Sequence, residues 1–397
     1  MERRLRIGVA GLGRAFTLML PTFLADARVR LVAAADPRAE ARHQFSKDFS
    51  PRVHETVEQL CDDPEVEVVY IATPHQHHAA HAVLAASRGK HLLVEKPMAI
   101  TLGECQAMIA AANAAKVHLI VGHSHSFDAP IKRTREIIDS GIYGKVRMIT
   151  ALNYTDFLYR PRRAEELVTE AGGGIVFSQA AHQVDIARLL GGGKVSTVRA
   201  STGAWDPARP TEGAYNAHLT FEDGAFASLT YSGYAHFDSD EFCDWIGELG
   251  NKKDTQPLGA SRKRILAVAN ADEEAALKNA RNYGGATYVP PDPSSSDLAH
   301  QQFGVFLVSC DGADLRPLPT GVMVYDDEGQ RLEALAPPVI PRREVIDELF
   351  DAVTVGRPPV HSGAWAMATM EVCLAILRSS AAAAEITLEN QVGIPPR

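Results

Sequence analysis

Cysteine is scarce and scattered. Five residues (Cys61, Cys105, Cys243, Cys310 and Cys373) are spread over 397, and no two form a Cys-x-x-Cys pair. That spacing offers no disulfide framework and no cysteine zinc site, and it suits reduced thiols in a cytoplasmic protein. Long apolar runs are missing too. No segment approaches the ~18 residues needed to span a bilayer. The N-terminus runs from a few arginines directly into a strand pattern, without an apolar signal core. No membrane association is expected. There is no basic block and the net charge is −9, which argues against nucleic acid as a partner. No repeat of fixed period is present.

What remains is ordinary globular material in quantity: 46% hydrophobic and 22% charged residues. The length suggests two or three domains with cores large enough to need no staple. The chain is organised around residues 5 to 13, Leu-Arg-Ile-Gly-Val-Ala-Gly-Leu-Gly. A short apolar run ends in spaced glycines, and a helical pattern starts at Arg14. This is the strand, tight turn and helix start of a dinucleotide-binding βαβ unit. Gly11 permits the turn, Gly13 lets the backbone approach a pyrophosphate, and the helix start at Leu12, Arg14 and Ala15 offers free N–H groups. The third small position of the fingerprint holds Phe16.

A second apolar strand, Val29 to Ala35, ends at Asp36. An acid roughly 20 residues or a little more past the glycines accepts the adenosine ribose hydroxyls. Its charge repels a 2′-phosphate, so NAD is expected over NADP, although Arg38 is placed to hold that phosphate. The plainer alternative is that Asp36 only starts the turn Asp-Pro-Arg.

Strands and helices alternate through the first 120 residues. Strands are expected at 66–72, 91–94 and 117–121, and helices at 77–88 and 101–115, the latter opened by a Thr101/Glu104 capping box. This alternation implies a doubly wound parallel sheet with helices on both faces. After about Gly122 the character changes. A helix at 131–140 is followed by strand candidates at 145–154, 195–200, 214–221, 225–234, 303–309 and 321–325, several joined by tight turns. These read as a mostly antiparallel open sheet in a second α/β domain. Residues 251–300, polar and carrying Pro290, Pro291, Pro293 and three serines, read as a surface insertion with one helix near 272–282. Helical stripes return at 345–353, ended by Gly356, and at 365–384. The expected division is a nucleotide domain over 1–125, a substrate and oligomerisation domain over 126–340, and C-terminal helices over 341–397 that pack back on the body.

Two segments carry candidate chemistry. Glu95-Lys96-Pro97 follows an apolar strand directly, and strand ends in an open parallel sheet face the ligand crevice. The alternative is a solvated lysine in a turn. The proline after it fixes the local backbone, and a cis bond is one form this can take. The second is Gly172-Gly173-Gly174, a helix bearing His182, and then Asp185 and Arg188. Glycines there allow close approach to a flat ligand, and a histidine transfers protons near neutral pH. A hydrogen-bonded core histidine is the plainer alternative. His75, His77, His78 and His81 include a pair four apart, as zinc ligands are, but position 78 is not the Glu of a metalloprotease, and no metal is expected. His123 and His125, at the end of the next strand, are expected to line the substrate site, with Tyr154, Asp156 and Tyr159 beside them.

Taken together, Ala-Gly-Leu-Gly, Asp36, Ala-Thr-Pro at 72–74 with His78, Glu95-Lys96-Pro97, the triple glycine with His182 and Asp185, and the C-terminal helices resemble the oxidoreductases of glucose–fructose oxidoreductase and inositol dehydrogenase type (Gfo/Idh/MocA). The resemblance covers nearly the whole chain. It implies an N-terminal Rossmann domain, a C-terminal α/β domain whose sheet face commonly forms a homodimer or homotetramer, and a nicotinamide cofactor flanked by Lys96 and His182 as catalytic residues. It places Thr73, Pro74, His75, His78 and Glu95 on the cofactor side, and Ser178, Gln179, His182 and Asp185 on the substrate side. Two departures stand out. The family often has an Asp four residues before the His, where this chain has Ser178, and its Arg-Phe after the sixth strand is Ser126-Phe127.

Within the family, Tyr154 to Arg163, Phe177 to His182 and His236 to Phe242 are similar to phthalate cis-4,5-dihydrodiol dehydrogenases of aromatic catabolism. The chemistry agrees: Arg160, Arg162 and Arg163 precede the substrate helix, and arginine forks bind carboxylates bidentately. The alternative for them is a solvated loop. The expected activity is NAD-dependent oxidation of a cyclic diol carrying carboxylates. Its rivals are a sugar or inositol dehydrogenase, an NAD-retaining glycosidase, and a non-catalytic NAD-binding sensor, against which the pairing of Lys96 with His182 argues.

Overall fold

The computed structural model describes residues 3–49, 52–234, 236–255, 258–290 and 298–395. The first sheet is assembled from β1 (Leu5–Ala10), β2 (Val29–Ala35), β3 (Arg52–His54), β4 (Val68–Ile71), β5 (His91–Val94) and β6 (Leu119–Val121), in the order β3-β2-β1-β4-β5-β6. All its pairings are parallel. The inner strands are buried on both faces, which is why they read as unbroken apolar runs rather than alternations. Helices α1 (Arg14–Ala25), α2 (Ala39–Phe49), α3 (Val57–Asp62), α4 (His78–Ser87) and α5 (Leu102–Ala115) connect them. Thr101 caps α5 through the expected capping box with Glu104. The strand order reverses between β1 and β4, and a crevice opens at the carboxyl ends of strands at such a reversal. No strong periodicity marks α2, β3 or α3: β3 and α3 are short, and α2 is mostly polar with only Ala41 and Phe45 buried.

After α6 (Ala129–Asp139) and β7 (Val146–Tyr154) comes a one-turn π-helix (Val176–Ala180), continuous with α7 (Ala181–Leu190). Strands β8 (Val195–Gly203), β9 (Ala214–Phe221) and β10 (Phe226–Ser232) follow, then α8 (Gly259–Leu266) and α9 (Ala271–Ala280). The remaining strands are β11 (Val305–Cys310), β12 (Asp314–Leu318), β13 (Gly321–Asp326) and β14 (Gly329–Ala334). The chain closes with α10 (Arg343–Val355), α11 (Gly363–Ala382) and the short β15 (Ile386–Thr387). The second sheet has nine strands in the order β14-β13-β12-β11-β7-β10-β9-β8-β15. Its pairings are antiparallel except β7 with β10. Strands such as β9 alternate buried and exposed residues, as a half-covered sheet requires.

The 251–300 stretch is not confined to the surface. Of its proline and serine tract, residues 291–297 lie outside the described residues. Tyr283 is fully buried in the nucleotide domain, with its ring 5.2 Å from Phe16 and 6.2 Å from Phe45. Its hydroxyl donates to Asp48 Oδ2 at 2.5 Å. Tyr283 thus anchors one end of the polar stretch, while Leu258 and Ile265 are buried against Leu158, Tyr159 and Tyr234. The same contact explains Phe16: that position faces α2 and Tyr283, so a large side chain fits where the fingerprint has a small one. Val345, Ile346 and Leu349 of α10 join the core formed with Leu5, Ile7 and Val9. Thr22 on α1 donates to Pro341 O at 2.5 Å.

Candidate active site

At the end of β1 the chain turns through Gly11, whose φ is +94°. A Cβ there would sit 2.8 Å from Ala72 O, so only glycine fits. Nothing lies within 4 Å of where a Gly13 Cβ would be, and α1 starts with no side-chain cap and no acidic residue in its first turn. Free N–H groups and a positive dipole end thus face open space. Asp36, 5% exposed, accepts from Leu12 N–H at 2.8 Å and from Arg38 N–H at 2.9 Å. Arg38 Nε also donates to it, at 3.0 Å, and Arg38 Nη2 donates to Leu12 O at 2.8 Å. Arg38 is therefore tied down on the acid rather than free to meet a phosphate. These groups fit a dinucleotide laid across the turn.

Beyond the turn lies a cavity of about 690 Å3. Among its lining residues are Arg14, Ala15, Thr73, His75, His78, Glu95, Lys96, His123, His125, Asp156, Arg160, Arg162, Gln179 and His182. The sequence-predicted Tyr154, Tyr159, Arg163, Ser178 and Asp185 are not on that wall. Tyr159 donates to Asp206 at 2.5 Å beneath Arg262, and Tyr154 packs on Phe237. Arg163 pairs with Glu165. Asp185 accepts from Trp365 Nε1 at 2.6 Å and Thr369 Oγ1 at 2.7 Å, and also from Ser126, so it fastens α7 to α11. Arg188 is a fully buried structural cation stacked on Trp365. Pro74 opens the one-turn helix that carries His75.

The triple glycine serves the protein rather than a flat ligand. A Cβ on Gly174 would lie 2.1 Å from Glu212 Oε1, and one on Gly173 would lie 2.6 Å from Glu166 O. Glu212 accepts from Val176 N–H at 3.0 Å, so Gly174 makes room for a buried carboxylate at the start of the π-helix, while Gly173 lets the chain pass the Glu166 carbonyl.

Lys96 Nζ donates to Ser178 O at 2.6 Å, so it is the backbone of Ser178 that faces the amine. The Lys96–Pro97 bond is cis. Burial lowers the Lys96 pKa from 10.5 to about 8, against the opposing pull of Glu95 and Glu248. Burial, then the charges of Lys96 and His125, push His182 well below its usual value and keep it neutral. His125 backbone N–H donates to His182 Nδ1 at 3.4 Å, and the imidazole lies 4.9 Å from the Phe303 ring. Burial alone would lower His125, but Asp128 and Glu248 raise it. Its Nδ1 is 2.7 Å from Asp128 Oδ2, and the same acid holds His123 at 3.1 Å.

Several lining groups carried no sequence expectation: Asn153, Asp240, Glu248, Lys252, Lys253, Lys278, Arg281 and Arg342. Most come from loops and the insertion, where periodicity is silent. The signal for Glu248 is an acid inside the tetrad Gly-Glu-Leu-Gly. Nine cationic side chains line the cavity against four acidic ones. Two histidine–carboxylate clusters have metal-ligand spacing, His123/His125/Asp128 and His125/His182/Glu248. In the first, the carboxylate is already engaged by both rings. The second has Lys96 and Arg160 beside it, which balance its charge without an ion.

An oxidoreductase model with an NAD-binding Rossmann fold matches residues 5–123, and a GFO/IDH/MocA C-terminal domain model matches residues 131–251. A 1-carboxy-3-chloro-3,4-dihydroxycyclohexa-1,5-diene dehydrogenase of Comamonas testosteroni is 53% identical over 374 residues, 94% of each chain. The chain belongs to the Gfo/Idh/MocA oxidoreductases. A crystal structure from Bordetella bronchiseptica RB50, provisionally assigned as a dehydrogenase, superposes on this Gfo/Idh/MocA protein with a TM-score of 0.90 at 42% identity, covering 97% of this chain and all of the other. The WlbA dehydrogenase of Bordetella pertussis, in complex with NADH and UDP-GlcNAcA, reaches a TM-score of 0.68 over 98% of this chain and 99% of its own. At 18% identity that is a likeness of fold alone. The N-terminal domain is an NAD-binding Rossmann fold. Among the described residues no helix is long and apolar enough to cross a membrane.

Proposed function

We propose that this chain is an NAD-dependent dehydrogenase of carboxylated cyclic cis-dihydrodiols, taking 4,5-dihydroxy-4,5-dihydrophthalate to 4,5-dihydroxyphthalate. The observation that carries the reading is the charge of the cavity. Besides Lys96 itself and Arg14 at the nucleotide turn, seven cationic side chains line the cavity against four acidic ones, in a chain of net charge −9. A neutral polyol has no use for such a lining, whereas a dianion does. Arg162 is the carboxylate anchor. Its guanidinium stacks 3.6 Å from the Phe157 ring centroid, donates to Phe157 O at 2.7 Å, and forms no ion pair among the described residues. Arg160 supports it, already braced by Asp156 at 2.8 Å. The substrate carried by the Comamonas relative's name, a carboxylated dihydroxycyclohexadiene, is of this chemical class.

NAD, when bound, supplies the hydride acceptor. Lys96 acts as the base: with a pKa near 8, a useful fraction of its amine is neutral around physiological pH. It takes the hydroxyl proton while the carbinol C–H electron pair departs as hydride and C=O forms. His182, held neutral, hydrogen-bonds the same oxygen and fixes its position. The ring ketone then enolises to a catechol, and aromaticity pulls the reaction forward. The test is NAD reduction against a panel of carboxylated dihydrodiols, uncharged dihydrodiols, sugars and inositols. Turnover confined to the uncharged polyols refutes the reading.

A further inference from the structure

Glu248 lies on no regular element, yet it is among the firmly placed groups of the cavity. Gly247 N–H donates to Asn251 O at 2.9 Å, and Gly250 N–H donates to Gly247 O at 2.8 Å. Gly250 has φ +82°, and a Cβ there would lie 2.2 Å from Ala299 O. Ala299 N–H donates to Gly250 O at 3.0 Å, and Gln302 Nε2 donates to Ile246 O at 3.0 Å. The loop is thus fastened on both flanks, which preorganises the carboxylate.

The carboxylate itself is aimed but not saturated. Oε1 stands 3.6 Å from His125 Nε2, and Oε2 stands 3.4 Å from Arg160 Nη1. Charge-assisted hydrogen bonds close to about 2.7–2.9 Å, so both contacts orient Glu248 without filling its acceptor sites. Its side chain keeps 30% of its surface open. Burial raises its pKa, but His125, Arg160 and Lys96 outweigh that and hold it ionised. Ligating atoms of Glu248, His125 and His182 all lie within 4.8 Å of one another. That separation suits two neighbouring substrate oxygens, one hydrogen-bonded to His182 and the next donating to Glu248.

Resting on the dihydrodiol reading, we infer that Glu248 is the specificity-determining residue for a vicinal cis-diol: its carboxylate accepts a hydrogen bond from the hydroxyl that is not oxidised. Arg160, and His125 held by Asp128, flank that carboxylate at 3.4 and 3.6 Å.

The experiment measures kcat/KM for a carboxylated cis-dihydrodiol and for the analogue lacking the second hydroxyl, in the parent, in Glu248→Ala and in Glu248→Gln. NAD titration by fluorescence checks that each variant is folded. Loss of one charge-assisted hydrogen bond lowers the diol-over-mono-ol ratio of kcat/KM about 10- to 150-fold in Glu248→Ala. Glu248→Gln, which keeps an acceptor oxygen without the charge, falls between. An unchanged ratio overturns the inference, whether both substrates suffer equally or neither does. If the parent turns over no dihydrodiol, the dihydrodiol reading fails separately. The same ratio is then measured with an inositol and its deoxy analogue, where the same two outcomes decide.

Discussion

Lys96→Met should remove the alkaline limb of the pH profile and at the same time make the protein more stable. With a pKa of about 8, the parent's amine is about one-tenth neutral at pH 7 and about nine-tenths neutral at pH 9, so kcat/KM rises roughly tenfold between them. Without the base, kcat falls on the order of a hundredfold or more, and the residual rate no longer rises through pH 8. Stability moves the other way. A shift from 10.5 to about 8 means the folded state carries a desolvated ammonium at a cost of about 3 kcal/mol. The folded pKa is the depressed one, so this cost is fully present below pH 8 and fades as pH rises towards 10.5. The Nζ–Ser178 O bond, lost with the side chain, is worth about 1 kcal/mol. The net gain at pH 7 is therefore about 2 kcal/mol, read by urea unfolding. Stopped-flow or steady-state NADH absorbance over pH 6–10 gives the rate arm. A variant that keeps the alkaline limb, or a parent whose profile turns on a group near pH 6.5, refutes the assignment of Lys96 as base.

Asp36→Ala frees Arg38 and should narrow the preference for NAD over NADP, as read by fluorescence titration of both; an unchanged ratio would detach Asp36 from ribose recognition. Arg162→Ala should raise KM for carboxylated substrates about 10- to 150-fold while sparing uncharged ones, whereas Arg163→Ala, off the cavity wall, should leave both at the parent's values in the same assay. Asp185→Ala removes an acceptor for buried Trp365 and Thr369, so it should cost about 2–3 kcal/mol in chemical unfolding; a pure KM effect at full stability would return Asp185 to the substrate site.

The nucleotide half of the fold was legible because its signals are local. The glycine turn, the acid after β2 and the Thr101/Glu104 box each sit within one element. Lys96 stood out by its place after an apolar strand and His182 by the glycine-rich stretch before its helix, and both line the cavity. The failures share a cause. Tyr154 and Tyr159 were placed by proximity in sequence, but strand alternation and a tight turn point them away from the cleft. The triple glycine was read towards a ligand because the carboxylate it shelters, Glu212, is 38 residues downstream of Gly174. Glu248, Lys278 and Arg342 reach the cavity from loops and helix ends. Their placement depends on tertiary contacts that no periodicity encodes.

Tyr283 joins parts of the chain that sequence would divide. It fills a gap between α1 and α2, while Pro341, just before α10, is tied to α1 by Thr22. The apolar side of α1 is thus completed by residues more than 250 positions away. A fragment ending near residue 125 would contain every strand of the parallel sheet and still leave Phe16 and Phe45 facing water, along with the surface that α10 covers. The nucleotide half should therefore be less stable cut off there than within the whole chain. Unfolding should be cooperative across the sequence boundary, with the two sheets melting in one transition rather than in succession.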